Sequence, residues 1–445
     1  MKKRKSLVEY RFYFGRQLVV VLTGYDIIHE ALVVKKEAFS GRAKQTNVVL
    51  DTVFPGGSHK NGIIFREYGE EWKHARRFTL QSLRDFGVGK TTLEDRIIEE
   101  VNAVASVLDS MNGKSTTVTD LLLSAVTNVL FSIVFGNRYA FEDPEFKRLQ
   151  NMTNTILSGS GQINPSAFLP RSIARLLNKK EADHDLKKIE ALKGMKEHVI
   201  KQIEQHEITF DKDNFRDFID IYIDTCRNVE TTETSYITKQ NMFRIIIELF
   251  IAGAETTAAS LQWMFLCMIE FTDVQNKCRE EITKVVGDKP VHYNDRNNLP
   301  YVNAVIAEIQ RFGNIVPLNM MHCTTQDTSL DGYDIPKGTS VMPMLYSVSI
   351  DEKYFPEPTK FKPDRFLNEN GELKRCDAHI PFSAGPRICL GEVLARMELF
   401  MIFTHLLQNF KFEREDPNKH HSFDVVSNKI AQCPLPYKLR AIRIH

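Results

Sequence analysis

The segment Pro381–Glu392, PFSAGPRICLGE, gathers a phenylalanine, two glycines, an arginine and one cysteine directly before an apolar run. A cysteine that ligates a metal needs a deprotonated sulfur, shelter from water and a backbone that can come close. Gly385 permits a turn that residues with side chains adopt poorly, and Gly391 leaves room where a following helix packs. A helix expected from Leu390 puts Cys389 at or near its N-terminus, where the positive dipole end and free N–H groups favour thiolate. Phe382 is placed to cover the sulfur and Arg387 to pair with an anion nearby. A single cysteine is usually a buried structural thiol. The joint pattern F-x-x-G-x-R-x-C-x-G reverses that expectation.

A second constellation is AGAETT, Ala252–Thr257, inside the apolar run Leu249–Ile269. Gly253 thins the helix where a ligand would sit, while Glu255 and Thr256 place an acid and a hydroxyl in an apolar wall. An acid–alcohol pair with water can relay protons. Taken alone, the plainer reading of the threonines is that they bond back to their own helix carbonyls. Glu308 and Arg311, in EIQR, are spaced to form an ion pair on one helix face.

These groups need a scaffold, and composition bounds it. The chain has 445 residues, 42% hydrophobic and 26% charged, the values of a globular protein. Lys+Arg 58 against Asp+Glu 57 leaves a net charge of +1, so no overall field argues for nucleic acid. Seven cysteines without a C-x-x-C pair argue against a disulfide framework or zinc site, and for a reducing compartment. The start, MKKRKSLVEYRFYF, is no secretory signal, because Glu9, Arg11 and Arg16 interrupt the apolar stretch. Glu255, Thr256, Thr257, Ser260 and Gln262 make the 249–269 run too polar for a simple membrane span, leaving a core helix.

Along the chain, residues 8–22 predict a β-hairpin around Gly15-Arg16, and Thr23 caps a short helix carrying Ile27, Ile28, Ala31 and Leu32. Gly69 to Gly159 is helical, its first helix apolar at Trp72, Phe78, Leu80 and Leu83. Asp185–Glu207 is an amphipathic helix, apolar at Leu186, Ile189, Leu192, Val199 and Ile203, with lysines on a solvated face. Residues 236–286 hold the core helix and a second, charged one, and Leu299–Phe312 another. DGYDIPKGTSVMPM predicts small sheets, and Leu390–Gln408 a last long helix before a strand-like tail. No repeat or linker divides the chain. The fold class is mainly α with small β-sheets.

The cysteine segment resembles the haem-binding loop of the cytochrome P450 family, and AGAETT is similar to the oxygen-binding groove of that family's longest helix. The resemblance runs over nearly the whole chain and is closest to the animal microsomal branch often called family two. EWKHARRFTLQSLRDFGVGK, RDFIDIYI, KYFPEPTKFKPDRFL and LARMELF carry it further. It implies haem b with Cys389 as thiolate ligand of the iron, which favours O–O cleavage over simple oxygen binding. It implies a proton-relay role for Glu255 and Thr256, and a structural network of Glu308, Arg311 and Arg365 behind the haem. Arg387, Trp72, Arg76 and His322 are then the partners of the haem propionates; Trp72 and Arg76, four apart, share a helix face. A lone histidine such as His322 is more often a satisfied core or surface residue.

The implied fold is a triangular helical domain with a β-rich side, one catalytic domain over residues 1–445. This chain starts at what resembles the family's first hairpin, so it is expected to lack the membrane anchor, hinge and first helix. Ile350-Asp351-Glu352 stands where relatives show His-Asp-Pro, a change expected to affect local packing only. The implied function is a haem-thiolate monooxygenase that inserts one oxygen atom from O2 into a lipophilic xenobiotic, fatty acid or steroid. Pocket walls are expected from 43–66, Ile246–Thr256, Val316–Met321 and Gln432–Leu435. No G-x-G-x-x-G loop is present, so electrons come from a partner. The resemblance implies that this partner is NADPH–cytochrome P450 reductase, with cytochrome b5 as a second, meeting a basic patch of Lys73, Arg77, Arg84 and Lys90. The implied location is the cytosolic face of the endoplasmic reticulum membrane, or the cytoplasm in the absence of an anchor. Ser166–Leu177, with Arg171 and Arg175, resembles a loop that dips into the membrane. The alternatives are a haem-thiolate isomerase or lyase, which usually loses the acid–threonine pair, and a non-catalytic haem-binding pseudoenzyme.

Overall fold

The computed structural model of the chain describes residues 10–14, 17–43, 48–54, 60–88, 91–158, 179–228, 238–426 and 431–444. Ten longer helices carry most of it: α1 Glu70–Asp85, α2 Thr91–Ser110, α3 Thr119–Val134, α4 Pro144–Leu157, α5 Lys179–Ile208, α6 Phe218–Asn228, α7 Lys239–Glu270, α8 Thr272–Val285, α9 Pro300–Gly313 and α10 Glu392–Asn409. Their ends follow local chemistry. Asp143 Oδ1 accepts from the backbone of Glu145 and Phe146 with Pro144 as first residue of α4. Thr238 caps α7 by accepting from Asn241 N, and Asn314, at φ 38°, ends α9 in the left-handed region.

Helix α7 runs through the centre because its sequence leaves it no polar face to give to water. From Leu261 to Ile269 every side chain is buried, and a fully buried Leu, Ile, Phe or Met contributes about 1.5–3 kcal/mol. It packs against α3, α5, α9 and α10. Phe250 of α7 meets Phe131 and Phe135 of α3 with ring centroids 4.8 and 5.3 Å apart. Among the described residues, no helix is long and apolar enough to cross a membrane.

The strands are short: β1 Tyr10–Phe14, β2 Gln17–Leu22, β3 Gly41–Arg42, β4 Ser115–Thr116, β5 His322–Cys323, β6 Thr328–Leu330, β7 Tyr333–Ile335, β8 Ser340–Pro343, β9 Phe410–Arg414 and β10 Leu439–Arg443. The largest sheet has the order β1-β2-β8-β5-β3, in which β2 and β8 run parallel, Val19 opposite Ser340. It ties the first residues of the chain to the segment after α9. A three-stranded sheet β4-β10-β9 and the hairpin β6-β7 complete the β-structure.

The two strands expected over 8–22 pair antiparallel, with Tyr10 opposite Val21; the turn Gly15-Arg16 lies outside the described residues. Several expectations are corrected. The helix at Tyr25–His29 is capped by Gly24 at φ 77°, with no side-chain bond, so Thr23 does not cap it. Leu186, expected on the apolar face of α5, is 56% exposed, whereas Leu192, Val199 and Ile203 are buried. On the face expected to be solvated, Lys188 is buried. The last long helix begins at Glu392, two residues later than expected. Lys90 and Ser166–Leu177 lie outside the described residues.

Candidate functional site

The loop before α10 is held by one close approach. Gly385 sits at φ 74°, and a Cβ there would lie 1.9 Å from the carbonyl oxygen of Leu32, in the π-helical turn Glu30–Val34. Only glycine fits that contact. Cys389 N donates to Phe382 O at 3.0 Å and Ile388 N to Gly385 O at 3.0 Å, which closes the loop on itself. The Cys389 residue is exposed, although protein surrounds its sulfur closely enough to matter electrostatically. Burial pushes its thiol pKa up. The Gly391 N–H, Arg76 and Arg396 pull the other way, and Glu392 adds to the rise. The expected helix-terminus stabilisation of thiolate is therefore outweighed, and a cation on the sulfur is what would hold it ionised.

Two roles expected in this loop change. The Phe382 ring lies under the guanidinium of Arg396, 4.8 Å from its carbon, so its backbone carbonyl, not its ring, is what is bonded to Cys389. A Cβ on Gly391 would touch nothing within 4 Å. Its contribution is the N–H that reaches the sulfur, not room for packing.

Beside the thiol stands a cluster of cations, Arg42 and Arg387 buried and Arg76 half-buried. Arg387 lies 4.1 Å above the Trp72 ring and donates to the carbonyls of Ser40, Ile63 and Arg66 at 3.0, 2.9 and 2.7 Å. Arg76 donates to Ile388 O at 2.5 Å. Arg42, which no sequence pattern singled out, is 9% exposed and donates to the carbonyls of Ile64, Met320 and Met321. Burial, then repulsion from Arg42 and Arg76, pushes the Arg387 pKa down to about 8; burial and Arg76 push Arg42 down to about 10. Three guanidiniums beside a thiol, which among the described residues donate to neutral carbonyls, are a cradle for dianionic charge. A haem with two propionates fits it.

The other expected donors are partly committed. Trp72 Nε1 donates to Ile63 O at 3.0 Å. His322 Nδ1 donates to Phe39 O at 2.7 Å, and burial together with Arg42 and Arg387 pushes its pKa well down. A neutral ring donating through Nδ1 has only an acceptor at Nε2, so His322 as placed is no cation for a carboxylate.

On α7, Thr256 is half-buried and its hydroxyl donates to Ala252 O at 2.7 Å, while Glu255 is 8% exposed. Ala252 is exposed in the middle of this otherwise enclosed helix. Gly253 serves a different neighbour from the one expected: a Cβ there would lie 2.9 Å from Leu130 Cδ1. Its small size lets α3 approach, and Ala252 is the residue that opens the helix surface.

Behind the loop, Glu308 is fully buried. Arg311 donates to it from Nε at 2.7 Å and from its NH2 group at 2.9 Å, Arg365 Nε at 3.1 Å and Lys362 N at 2.7 Å. Arg311 also donates to Ser349 O and Pro358 O, both at 2.8 Å. The next residues, Ile350-Asp351-Glu352, form a turn in which Asp351 O accepts from Phe355 N at 2.8 Å. The structure thus brings Glu308, Arg311 and Arg365 together, and brings Arg387, Trp72 and Arg76 together around the cysteine loop.

Two cavities open on the cysteine-loop side. One of about 570 Å3 lies between α9, the 373–380 segment, the loop and α10, and is lined by Gln310, Lys374, Arg375, Phe382 and Arg396 among others. The other, about 270 Å3, is a groove between α1 and Pro386 lined by Lys73, Arg77 and Arg84. Lys73 is engaged with Glu70 at 2.8 Å, whereas Arg77 and Arg84 are exposed. Of the expected pocket walls, Leu318 and Leu435 are exposed, and Gln432 N donates to Ile315 O, joining the tail to the 315–321 segment.

The family model described as Cytochrome P450 matches residues 5–441. Cytochrome P450 2B4 of Oryctolagus cuniculus is 38% identical over 432 residues, 96% of this chain and 85% of that protein. Cytochrome P450 2C29 of Mus musculus is 37% identical over 434 residues, 97% of this chain and 86% of that protein. Cytochrome P450 2A6 of Homo sapiens is 36% identical over 428 residues, 96% of this chain and 84% of that protein.

Proposed function

Because the chain belongs to the cytochrome P450 family, and is therefore a monooxygenase with a haem iron on a cysteine thiolate, we propose that Cys389 supplies that thiolate and that residues 1–445 form one catalytic domain. The reaction is insertion of one oxygen atom from O2 into a lipophilic organic molecule, with electrons from an NADPH-dependent diflavin reductase and with cytochrome b5 as a further donor. The observation that carries this reading is the exposed Cys389 residue in a loop shaped by Gly385 and flanked by Arg42, Arg76 and Arg387, which among the described residues donate to backbone carbonyls.

When bound, the haem iron supplies the oxygen-activating chemistry, and thiolate donation favours O–O cleavage. The chain supplies the rest. Arg42, Arg76 and Arg387 bind and orient the propionates. Thr256, its own proton spent on Ala252 O, accepts a hydrogen bond on the face that Ala252 opens. Glu255 holds the proton that a water passes along that face. Leu318 and Leu435 give the substrate an apolar wall. Glu308, Arg311 and Arg365 fix the scaffold behind the loop. The enzyme works at the cytosolic face of the endoplasmic reticulum membrane.

The test is the ferrous–CO spectrum of the haem-loaded chain. Wild type is expected to show the red-shifted Soret band of a thiolate ligand and Cys389→Ala to lack it. An unchanged band in the variant would remove the assignment.

A further inference from the structure

Helix α7 carries a buried cation of its own, away from the cysteine loop. Arg244 is 1% exposed; its Nε donates to Glu248 Oε1 at 2.8 Å, and its two terminal nitrogens meet no acceptor among the described residues. The guanidinium carbon lies 4.9 Å from the Phe54 ring centre and 5.8 Å from that of Phe65. Glu248 cannot satisfy it further, because Oε2 accepts from Ile63 N at 2.6 Å and Ile64 N at 3.0 Å. The backbone of Gly62, at φ 80°, presses on the same carboxylate: a Cβ there would lie 2.5 Å from Oε1.

Arg42, Arg311 and Arg387 each aim guanidinium nitrogens at backbone carbonyls, and Arg66 leaves one terminal nitrogen unpartnered among the described residues but gives the other to Glu71, whereas Arg244 leaves both. Arg244 aims its terminal nitrogens at aromatic faces. Buried donors without acceptors are costly, and a planar two-oxygen anion is the group whose geometry matches them. Phe65 is the less buried of the two rings.

The position relates this group to the proposed reaction site. Asn241, Arg244, Glu248, Ala252 and Glu255 recur at three- and four-residue spacing and form one stripe along α7. Arg244 precedes Ala252 by eight residues, about 12 Å of helix rise. Ile63, whose N–H is bonded to Glu248, gives its carbonyl to Trp72 and Arg387, so the same short segment borders both sites.

We propose that Arg244 is a carboxylate subsite, so that this monooxygenase takes lipophilic acids with the carboxylate at Arg244 and the remote carbons against Ala252–Thr256. The proposal rests on the monooxygenase reading. Equilibrium dialysis of the haem-loaded chain with dodecanoate and with its methyl ester tests it. Wild type is expected to bind the acid at least about ten-fold more tightly than the ester. Arg244→Gln is expected to abolish that preference with ester binding retained, and Arg244→Lys to keep part of it. Glu248→Gln, which removes the competing charge but keeps an acceptor for Ile63, is expected to raise the preference. Equal binding of acid and ester by wild type, or an unchanged preference in Arg244→Gln, overturns the subsite. If Arg244→Gln does not fold, an unchanged preference in both Arg244→Lys and Glu248→Gln overturns it. The ferrous–CO band is read on the same samples, so loss of the haem reading shows as a missing thiolate band while dialysis still reports on Arg244.

Discussion

At Thr256 the hydroxyl proton is already directed to Ala252 O, four residues back, so what the side chain offers outward is lone pairs. An oxygen so fixed is a directed acceptor, and removing it leaves proton delivery to unheld water. With reductase and NADPH, Thr256→Ala is therefore expected to keep consuming electrons while product formed per NADPH falls by about ten-fold and peroxide appears. Thr256→Ser should retain coupling. An unchanged product-to-NADPH ratio in the alanine variant removes the role. At this scale the sequence was readable where residues meet near neighbours in the chain, as Glu308 meets Arg311 three residues on, but Phe382 and Gly391 make other contacts than those expected of them. Arg42 was not readable. Its meaning comes from tertiary placement beside Arg76 and Arg387, and nothing within GRAK distinguishes it from a surface arginine. Gly253 was legible as special but not in its direction, because a missing Cβ does not say which neighbour uses the space.

Helix elements were legible in kind and less so at their ends. The apolar run 249–269 announced a core helix, but the two-residue delay of α10 reflects a loop whose shape is set by contacts of Gly385 with a distant turn. The junction of α5 and α6 was not foreseen. His206, 5% exposed, donates from Nδ1 to Gln202 O and from Nε2 to Asp217 Oδ2, both at 2.6 Å. Both ring nitrogens face oxygen acceptors, an arrangement that favours the protonated ring. Burial works against that charge, but the bond to Asp217 and its charge prevail and raise the His206 pKa. Asp220, close enough to complete a metal-ligand trio, is taken up by Arg216 at 2.7 and 2.8 Å. A raised folded-state pKa means the pairing stabilises fully below the unfolded histidine value, about 6.5, and is lost as pH climbs through the folded value. The melting-point gap between wild type and His206→Gln is expected to be wider at pH 6 than at pH 9. A gap that does not change with pH would show that the charge plays no part.

For the whole molecule, a net charge of +1 hides an uneven surface. Arg77 and Arg84 stand exposed along the groove between α1 and Pro386 of the cysteine loop. An acidic electron donor would be guided there, and such guidance weakens with salt. Arg77→Glu with Arg84→Glu is expected to cut reductase-supported turnover several-fold at low ionic strength, with the gap to wild type closing as salt is added and the ferrous–CO band intact. Turnover that falls equally at all salt concentrations would point away from a charge-guided encounter. The sheet that ties β2 to β8, and the turn that meets Gly385, were beyond sequence reading because they join segments with no local sign of one another.

That last contact sets an order of events. Leu32 and Gly385 lie near opposite ends of the chain, yet the cysteine loop takes its form only against the Leu32 carbonyl. Closing so long a stretch is entropically costly and comes late relative to local helix formation. The cysteine loop is therefore only as well formed as its seat on the Glu30–Val34 turn, and a change at that turn, far from Cys389 in sequence, would be felt at the thiol.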